Sequence, residues 1–144
     1  MNDARKRAMA AKVVAACGGS LAGKMVAVLG LTFKPNTDDM REAPSLVIVP
    51  ALEAQGARVR AYDPHGMTEA RKLMPRLETA NDPYACIEGV DAMLILTEWD
   101  EFRALDLDRV KKVLRSPVVI DLRNIYRSAD AAAKGLTYIS VGRS

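Results

Sequence analysis

Met25-Val26-Ala27-Val28-Leu29-Gly30-Leu31-Thr32-Phe33-Lys34-Pro35-Asn36-Thr37-Asp38-Asp39-Met40-Arg41-Glu42-Ala43-Pro44-Ser45 is the stretch on which the reading of the fold turns. Its first five residues are a short, partly β-branched apolar run closed by Gly30. Such a run predicts a strand covered on both faces, as in a parallel sheet. Residues 32–42 are polar and include a proline, which predicts a loop. Ala43-Pro44-Ser45 then predicts the start of a helix, with Pro44 at the first helical position. The loop therefore leaves the carboxyl end of a strand, where open α/β sheets bind ligands.

The chemistry of that loop points to an anion. Lys34 and Arg41 bracket it, and the amides at the following helix start add positive potential. Asp38, Asp39 and Glu42 share the segment, so it is no simple basic patch. It matches neither common phosphate loop: Leu31 to Lys34 supply no second glycine for G-x-G-x-x-G, and no Gly-Lys-Ser/Thr follows Gly30. An ion-paired surface loop is the competing reading of the same residues.

Outside this stretch, composition sets bounds. A chain of 144 residues that is 49% hydrophobic suffices for one domain with its own core. The net charge of +3 is spread along the chain and aromatics make up 5%, which argues against a nucleic-acid surface. No apolar run approaches membrane-spanning length and no secretory leader is visible, so a soluble cytoplasmic domain is expected. Cys17 and Cys86 have no local base or cation and are expected to be buried structural thiols. His65 is the only histidine and has no partner at ligand spacing, so no metal is expected.

Taken from its start, residues 3–17 predict a helix capped by Asn2 or Asp3 and stopped by Gly18-Gly19. Arg5, Lys6, Arg7 and Lys12 should form its solvated face, and Ala8, Ala11, Val14, Ala15 and Cys17 its apolar stripe. Residues 44–55 predict a helix with Leu46, Val47, Ala51 and Leu52 inward, kinked by Pro50. Residues 57–62 alternate like a strand, and Asp63-Pro64 breaks it. By topology Asp63 stands where a dinucleotide fold holds a ribose. Without the glycine fingerprint, a turn-forming Asp-Pro is the stronger reading. Helices over 67–73, from Pro83 towards Gly89, over 107–114 and over 129–134 alternate with strands over 91–96, 117–121 and 136–139. Residues 141–144 form a tail. Trp99, the only tryptophan, is expected to pack against the domain.

This order predicts a single doubly wound, Rossmann-like α/β domain with a mostly parallel sheet of about five strands. Lys34, Arg41, Trp99 and Arg123 all follow strand ends, so a parallel sheet brings them to one edge.

The segment Gly30–Ser45 resembles the signature of the C-terminal, nucleotide-binding domain of the UDP-glucose/GDP-mannose dehydrogenase family. It is most similar to that family's UDP-glucose 6-dehydrogenases. Tyr62-Asp63-Pro64, Thr97-Glu98-Trp99 and Asp121-Leu122-Arg123-Asn124 agree with it in order, so the resemblance covers nearly the whole chain. It implies that Phe33, Lys34 and Arg123 hold the nucleotide-sugar, and that Arg41 reaches NAD bound mainly by a separate N-terminal domain. In the family the last segment commonly carries glycine where Leu122 stands and Asp-Pro where Arg127-Ser128 stands.

The family reaction oxidises the 6-hydroxymethyl of UDP-glucose to UDP-glucuronate with two NAD, through a cysteine-linked intermediate. The resemblance puts that cysteine and the NAD fingerprint in upstream regions. Residues 1–22 would then be a helix continuing from a central region, and 23–144 the UDP-binding domain. No residue here is assigned a catalytic role, and the chain by itself is expected to be inactive. A UDP-sugar, the upstream domains and a second subunit are the implied partners, with no nucleic acid or membrane. The alternatives are the same domain of a UDP-N-acetylmannosamine or GDP-mannose dehydrogenase, and a nucleotide-binding module without catalysis.

Overall fold

The computed structural model describes residues 3–32, 34–41 and 43–140, with side chains described from Ala8 onward. Its elements alternate. Helix α1 (Asp3–Ala16) is followed by β1 (Met25–Leu29), α2 (Ser45–Ala54), β2 (Arg58–Tyr62), α3 (Met67–Leu73) and β3 (Glu78–Thr79). Then come α4 (Pro83–Ile87), β4 (Ala92–Ile95), α5 (Asp100–Arg103), α6 (Leu107–Val113), β5 (Val118–Asp121), α7 (Ser128–Ala133) and β6 (Thr137–Ser140).

The sheet has six strands in the order β3-β2-β1-β4-β5-β6, and every neighbouring pair is parallel. The sixth strand is β3, two residues long and too short to carry a readable period. It lies beside β2, and Glu78 fastens it there by accepting from Arg58 at 2.7 Å and Arg60 at 3.1 Å. Arg60 first, and Arg58 with it, hold the Glu78 carboxyl below its ordinary range. The four-residue helix α5 is the other element too short to read from the chain.

β1 is central because both its faces are apolar. Val26 and Val28 join Leu94 and Ile120 in the layer beneath α1, α2 and α3, packing on Val13, Ile48, Leu52 and Ala70. Ala27 and Leu29 join Met93, Ile95 and Val119 beneath α4 to α7, on Ile87, Phe102, Val110 and Ala131. Its register with β4 is pinned at the start, where Asp91 Oδ2 accepts from Met25 N at 2.9 Å.

Two helix faces differ from expectation. On α1 the buried residues are Met9, Ala10, Val13 and, just beyond its end, Cys17, while Ala8, Ala11 and Ala15 are exposed. In an alanine-rich helix the larger side chains choose the inward face, because burial contributes in proportion to apolar area. On α2 the inward residues are Ser45, Ile48, Val49 and Leu52, whereas Leu46 and Ala51 are only partly covered. Pro44 is the N-cap of α2 and not its first residue. Pro50 lies on the exposed side, where water can take the carbonyl that proline leaves without a donor. The caps of α1 at residues 2–3 and the tail at 141–144 fall outside the described residues and side chains. No helix among the described residues is long and apolar enough to cross a membrane.

Candidate functional site

The chain runs outward from β1 to β2 and β3, then returns past β1 to β4. The loops after β1 and β4 therefore part at the switch point of the sheet, the usual ligand crevice of this topology. Here the two loops touch. Gly30, at φ +97°, lies so close to Thr97 that a Cβ would stand 2.5 Å from that residue's Cβ. Thr97 Oγ1 donates to the Thr32 carbonyl at 2.8 Å, and Ser45 Oγ donates to the Leu31 carbonyl at 2.6 Å.

A second tether comes from the end of β2. Asp63 is fully buried. Its Oδ2 accepts from Leu31 N at 2.7 Å, Thr32 N at 3.1 Å and Trp99 Nε1 at 3.1 Å. Its Oδ1 accepts from His65 N at 2.9 Å and Gly66 N at 2.7 Å. This decides between the two sequence readings of Asp63: the carboxylate closes a turn and ties three loops, and no oxygen faces outward for a ribose. Trp99 is packed as expected, 5% exposed, with His65 tilted against its ring at 4.9 Å.

A similar device holds the loop after β5. Asp121, also fully buried, accepts from Arg123 N at 3.0 Å, Ile125 N at 2.8 Å, Tyr126 N at 3.2 Å and Tyr138 OH at 2.6 Å. Asn124 takes the left-handed conformation that the turn needs, at φ 56°. The sequence carried only a weak signal for this clamp, an Asp closing a strand two residues before an arginine.

Of the residues singled out from the sequence, Lys34 is exposed in the loop after β1, and Thr32 Oγ1 lies 3.0 Å from its backbone carbonyl. Arg123 follows β5, and its Nε donates to the Glu98 carboxylate, so the loops after β4 and β5 are bridged. Because every strand is parallel, Lys34, Glu98 and Arg123 share the carboxyl edge. Arg41 is 89% exposed and pairs with Asp39 through Nε and Nη2, both at 3.1 Å. That hydrogen bonding holds the Asp39 carboxyl below its ordinary range. Beside them an open groove of about 890 Å³ runs between the 37–41 loop and α3, with Glu69 and Lys72 on its far wall. Phe33 lies outside the described residues.

The cysteines are far from this edge chemically. Both are buried. Burial pushes the Cys86 thiol up to about 12 and raises that of Cys17. At pH 8 this leaves Cys86 about one part in ten thousand thiolate. Native chain mixed with Ellman's reagent at pH 8 should release little colour within minutes, and both thiols should react on adding urea. One thiol titrating at once in the native chain would contradict this. Among the described residues no cluster of three or more His, Cys, Asp or Glu is arranged to hold a metal ion.

A six-stranded parallel sheet in this order, with paired polar loops at the switch point, defines the doubly wound class of nucleotide-handling domains. Within that class, residues 27–128 match the UDP binding domain of the UDP-glucose/GDP-mannose dehydrogenase family, and the chain belongs to that family. It is 56% identical to a UDP-glucose 6-dehydrogenase of Rhizobium meliloti (strain 1021), across 99% of this chain and 33% of the relative. It is 46% identical to the UDP-glucose 6-dehydrogenase TuaD of Bacillus subtilis (strain 168), across 87% of this chain and 27% of that protein. The solved UDP-glucose dehydrogenase of the archaeon Pyrobaculum islandicum superposes with a TM-score of 0.77 at 31% identity, over 98% of this chain and 30% of that one. The chain thus spans about a third of the length of these relatives.

Proposed function

We infer that this chain is the C-terminal, UDP-binding part of a UDP-glucose 6-dehydrogenase, which oxidises UDP-glucose to UDP-glucuronate with two NAD. The observation that carries the reading is the exposed Lys34 and the Glu98-held Arg123 on the carboxyl edge of one parallel sheet. Two cations on one edge suit a pyrophosphate, since each supplies charge-assisted donors. Phe33 belongs to the same nucleotide-sugar set.

NAD fits this chain in one way only. The switch point lacks the glycine fingerprint, Gly30 is closed against Thr97, and Asp63 is fully buried. A dinucleotide is therefore not expected in the crevice itself. Arg41, exposed beside the open groove, suits contact with an NAD held by a separate N-terminal domain. NAD, when bound, supplies the hydride acceptor. What this chain contributes is position and charge: Lys34 and Arg123 orient the UDP end and leave the sugar to residues outside the chain. In this reading α1 continues from a central helical region, residues 23–144 are the nucleotide-sugar domain, and the whole enzyme is a cytoplasmic homodimer. By itself the chain would not turn over substrate.

The test is a titration of isotopically labelled chain with UDP, UMP and uridine, followed by amide shifts. UDP should bind with a dissociation constant around a millimolar, about −4 kcal/mol, because the sugar-binding regions are missing. Uridine should bind more weakly. Lys34→Ala should remove most of the preference for UDP, a loss on the order of 1.5–3 kcal/mol for a well-formed charge-assisted bond. Equal perturbation of residues 34–41 by uridine and UDP, or none by either, would leave an ion-paired surface loop as the better account.

A further inference from the structure

We propose that Asp63 is the positioning residue of the nucleotide loop: its buried carboxylate sets the backbone that carries Lys34. The proposal rests on the reading of Lys34 as a UDP contact and adds what aims it.

Asp63 has no exposed surface, so it is not itself a ligand contact. Its effect on a ligand passes through the chain it holds. Two consecutive amides, Leu31 N and Thr32 N, converge on one oxygen at 2.7 and 3.1 Å. They lie immediately before Phe33 and Lys34. The Thr32 hydroxyl extends the tether, standing 3.2 Å from Asp63 Oδ2 and 3.0 Å from the Lys34 carbonyl. Its single proton serves either acceptor, the carbonyl being the nearer. Trp99 Nε1 brings the loop after β4 to the same oxygen, and Thr97 Oγ1 on that loop grips the Thr32 carbonyl. The other oxygen is held by His65 N and Gly66 N. The carboxylate is thus a node between the loops after β1, β2 and β4.

These donors are neutral N–H and O–H groups, and they approach both oxygens. That makes the anion irreplaceable by its amide. Asparagine has one acceptor oxygen; whichever way it is turned, its NH2 meets one of the two donor sets. A loop released on one side must be ordered again when a ligand arrives, and that ordering is subtracted from affinity. The consequence is a weaker UDP complex with the charges of Lys34 and Arg123 unaltered.

Trp99 supplies an internal reporter. It is the only tryptophan, so the chain has one indole N–H resonance, and that proton is donated to Asp63. The experiment titrates UDP into labelled wild-type chain, Asp63→Asn and Lys34→Ala, reading amide shifts and the indole resonance. Asp63→Asn should move the indole resonance, keep a folded spectrum and weaken UDP at least tenfold. Lys34→Ala should weaken UDP while leaving the indole resonance in place. A dissociation constant is read on folded molecules alone, so general destabilisation does not produce the first result. Asp63→Asn binding UDP within twofold of wild type, with its indole resonance moved, would overturn the positioning role and leave the UDP site standing. A wild-type chain that ignores UDP would overturn the site and the proposal with it. Should Asp63→Asn fail to fold, Asp63→Glu keeps the charge and both acceptor oxygens and displaces them by one methylene. It should move the indole resonance and weaken UDP about fivefold, and unchanged affinity with a moved indole resonance would overturn the proposal.

Discussion

Gly30→Ala is expected to be among the most damaging single substitutions in the chain, costing about 2–5 kcal/mol. Two costs combine. Gly30 has φ +97°, a conformation that charges an L-residue roughly 1–2 kcal/mol. The added methyl also meets Thr97 at its Cβ, backbone N and Oγ1, all between 2.5 and 2.6 Å. No flexible chain end is there to give way, because Thr97 is buried and its hydroxyl is bonded to Thr32. Overpacking of that kind costs roughly another 1–3 kcal/mol. The neighbourhood is rigid on its other sides too: Gly30 N donates to the Tyr62 carbonyl at 2.8 Å, and Leu96 N to Leu29 at 2.9 Å. Urea unfolding followed by circular dichroism measures the loss. A midpoint indistinguishable from wild type would mean that the loops after β1 and β4 do not meet at Gly30. Gly89→Ala is a useful contrast, since a Cβ there has nothing within 4 Å and only the backbone cost at φ +71° remains.

Asp121→Ala should be nearly as severe, at about 4 kcal/mol. The carboxylate is fully buried and accepts from the backbone of Arg123, Ile125 and Tyr126 as well as from the Tyr138 hydroxyl. Alanine removes the acceptor of the three backbone amides, while the Tyr138 hydroxyl keeps the Tyr126 carbonyl at 3.0 Å, and each donor left buried and unsatisfied costs roughly 1–3 kcal/mol. Partial rearrangement towards water lowers the sum. The damage is also local in a readable way. Arg123, Ile125 and Tyr126 should lose protection from hydrogen exchange, because their amides are the ones released, while the amides of β1 and β4 should keep theirs in proportion to global stability. With Arg123 as a UDP contact, as proposed, the same change should weaken UDP, as Arg123 loses its backbone anchor and keeps only the side-chain bridge to Glu98. Urea unfolding and exchange on one sample separate the two effects. A loss below 1 kcal/mol, with exchange at Ile125 and Tyr126 unchanged, would exclude Asp121 as the clamp of that loop.

The sequence by itself was enough for the class of fold and for the edge on which Lys34 and Arg123 lie. Met25–Leu29, Arg58–Tyr62, Ala92–Ile95 and Val118–Asp121 are strands within a residue or two of their predicted bounds, because runs of buried β-branched and aliphatic residues between glycines and prolines have few other uses. Once the strands are parallel, their carboxyl ends and the cations that follow them must share an edge. Lys34, Arg41 and Arg123 were legible for that reason, and for their place in long, specific motifs.

Tertiary structure alone decided which groups are available. Alanine carries too little apolar area to mark a face, so only packing into the core shared with α2 selected Met9, Ala10 and Val13 on α1. The two-residue β3 exists because β2 offers it an edge and Arg58 and Arg60 offer Glu78 partners. Asp63 and Asp121 read alike in sequence, as acids at strand ends, and for Asp63 the Asp-Pro pair made a turn the stronger reading over a ribose contact. Their donors include residues far away along the chain: Leu31, Thr32 and Trp99 for Asp63, and Tyr138 for Asp121. A carboxylate's role depends on whether its lone pairs are filled from within, and that is settled only when distant loops are brought together.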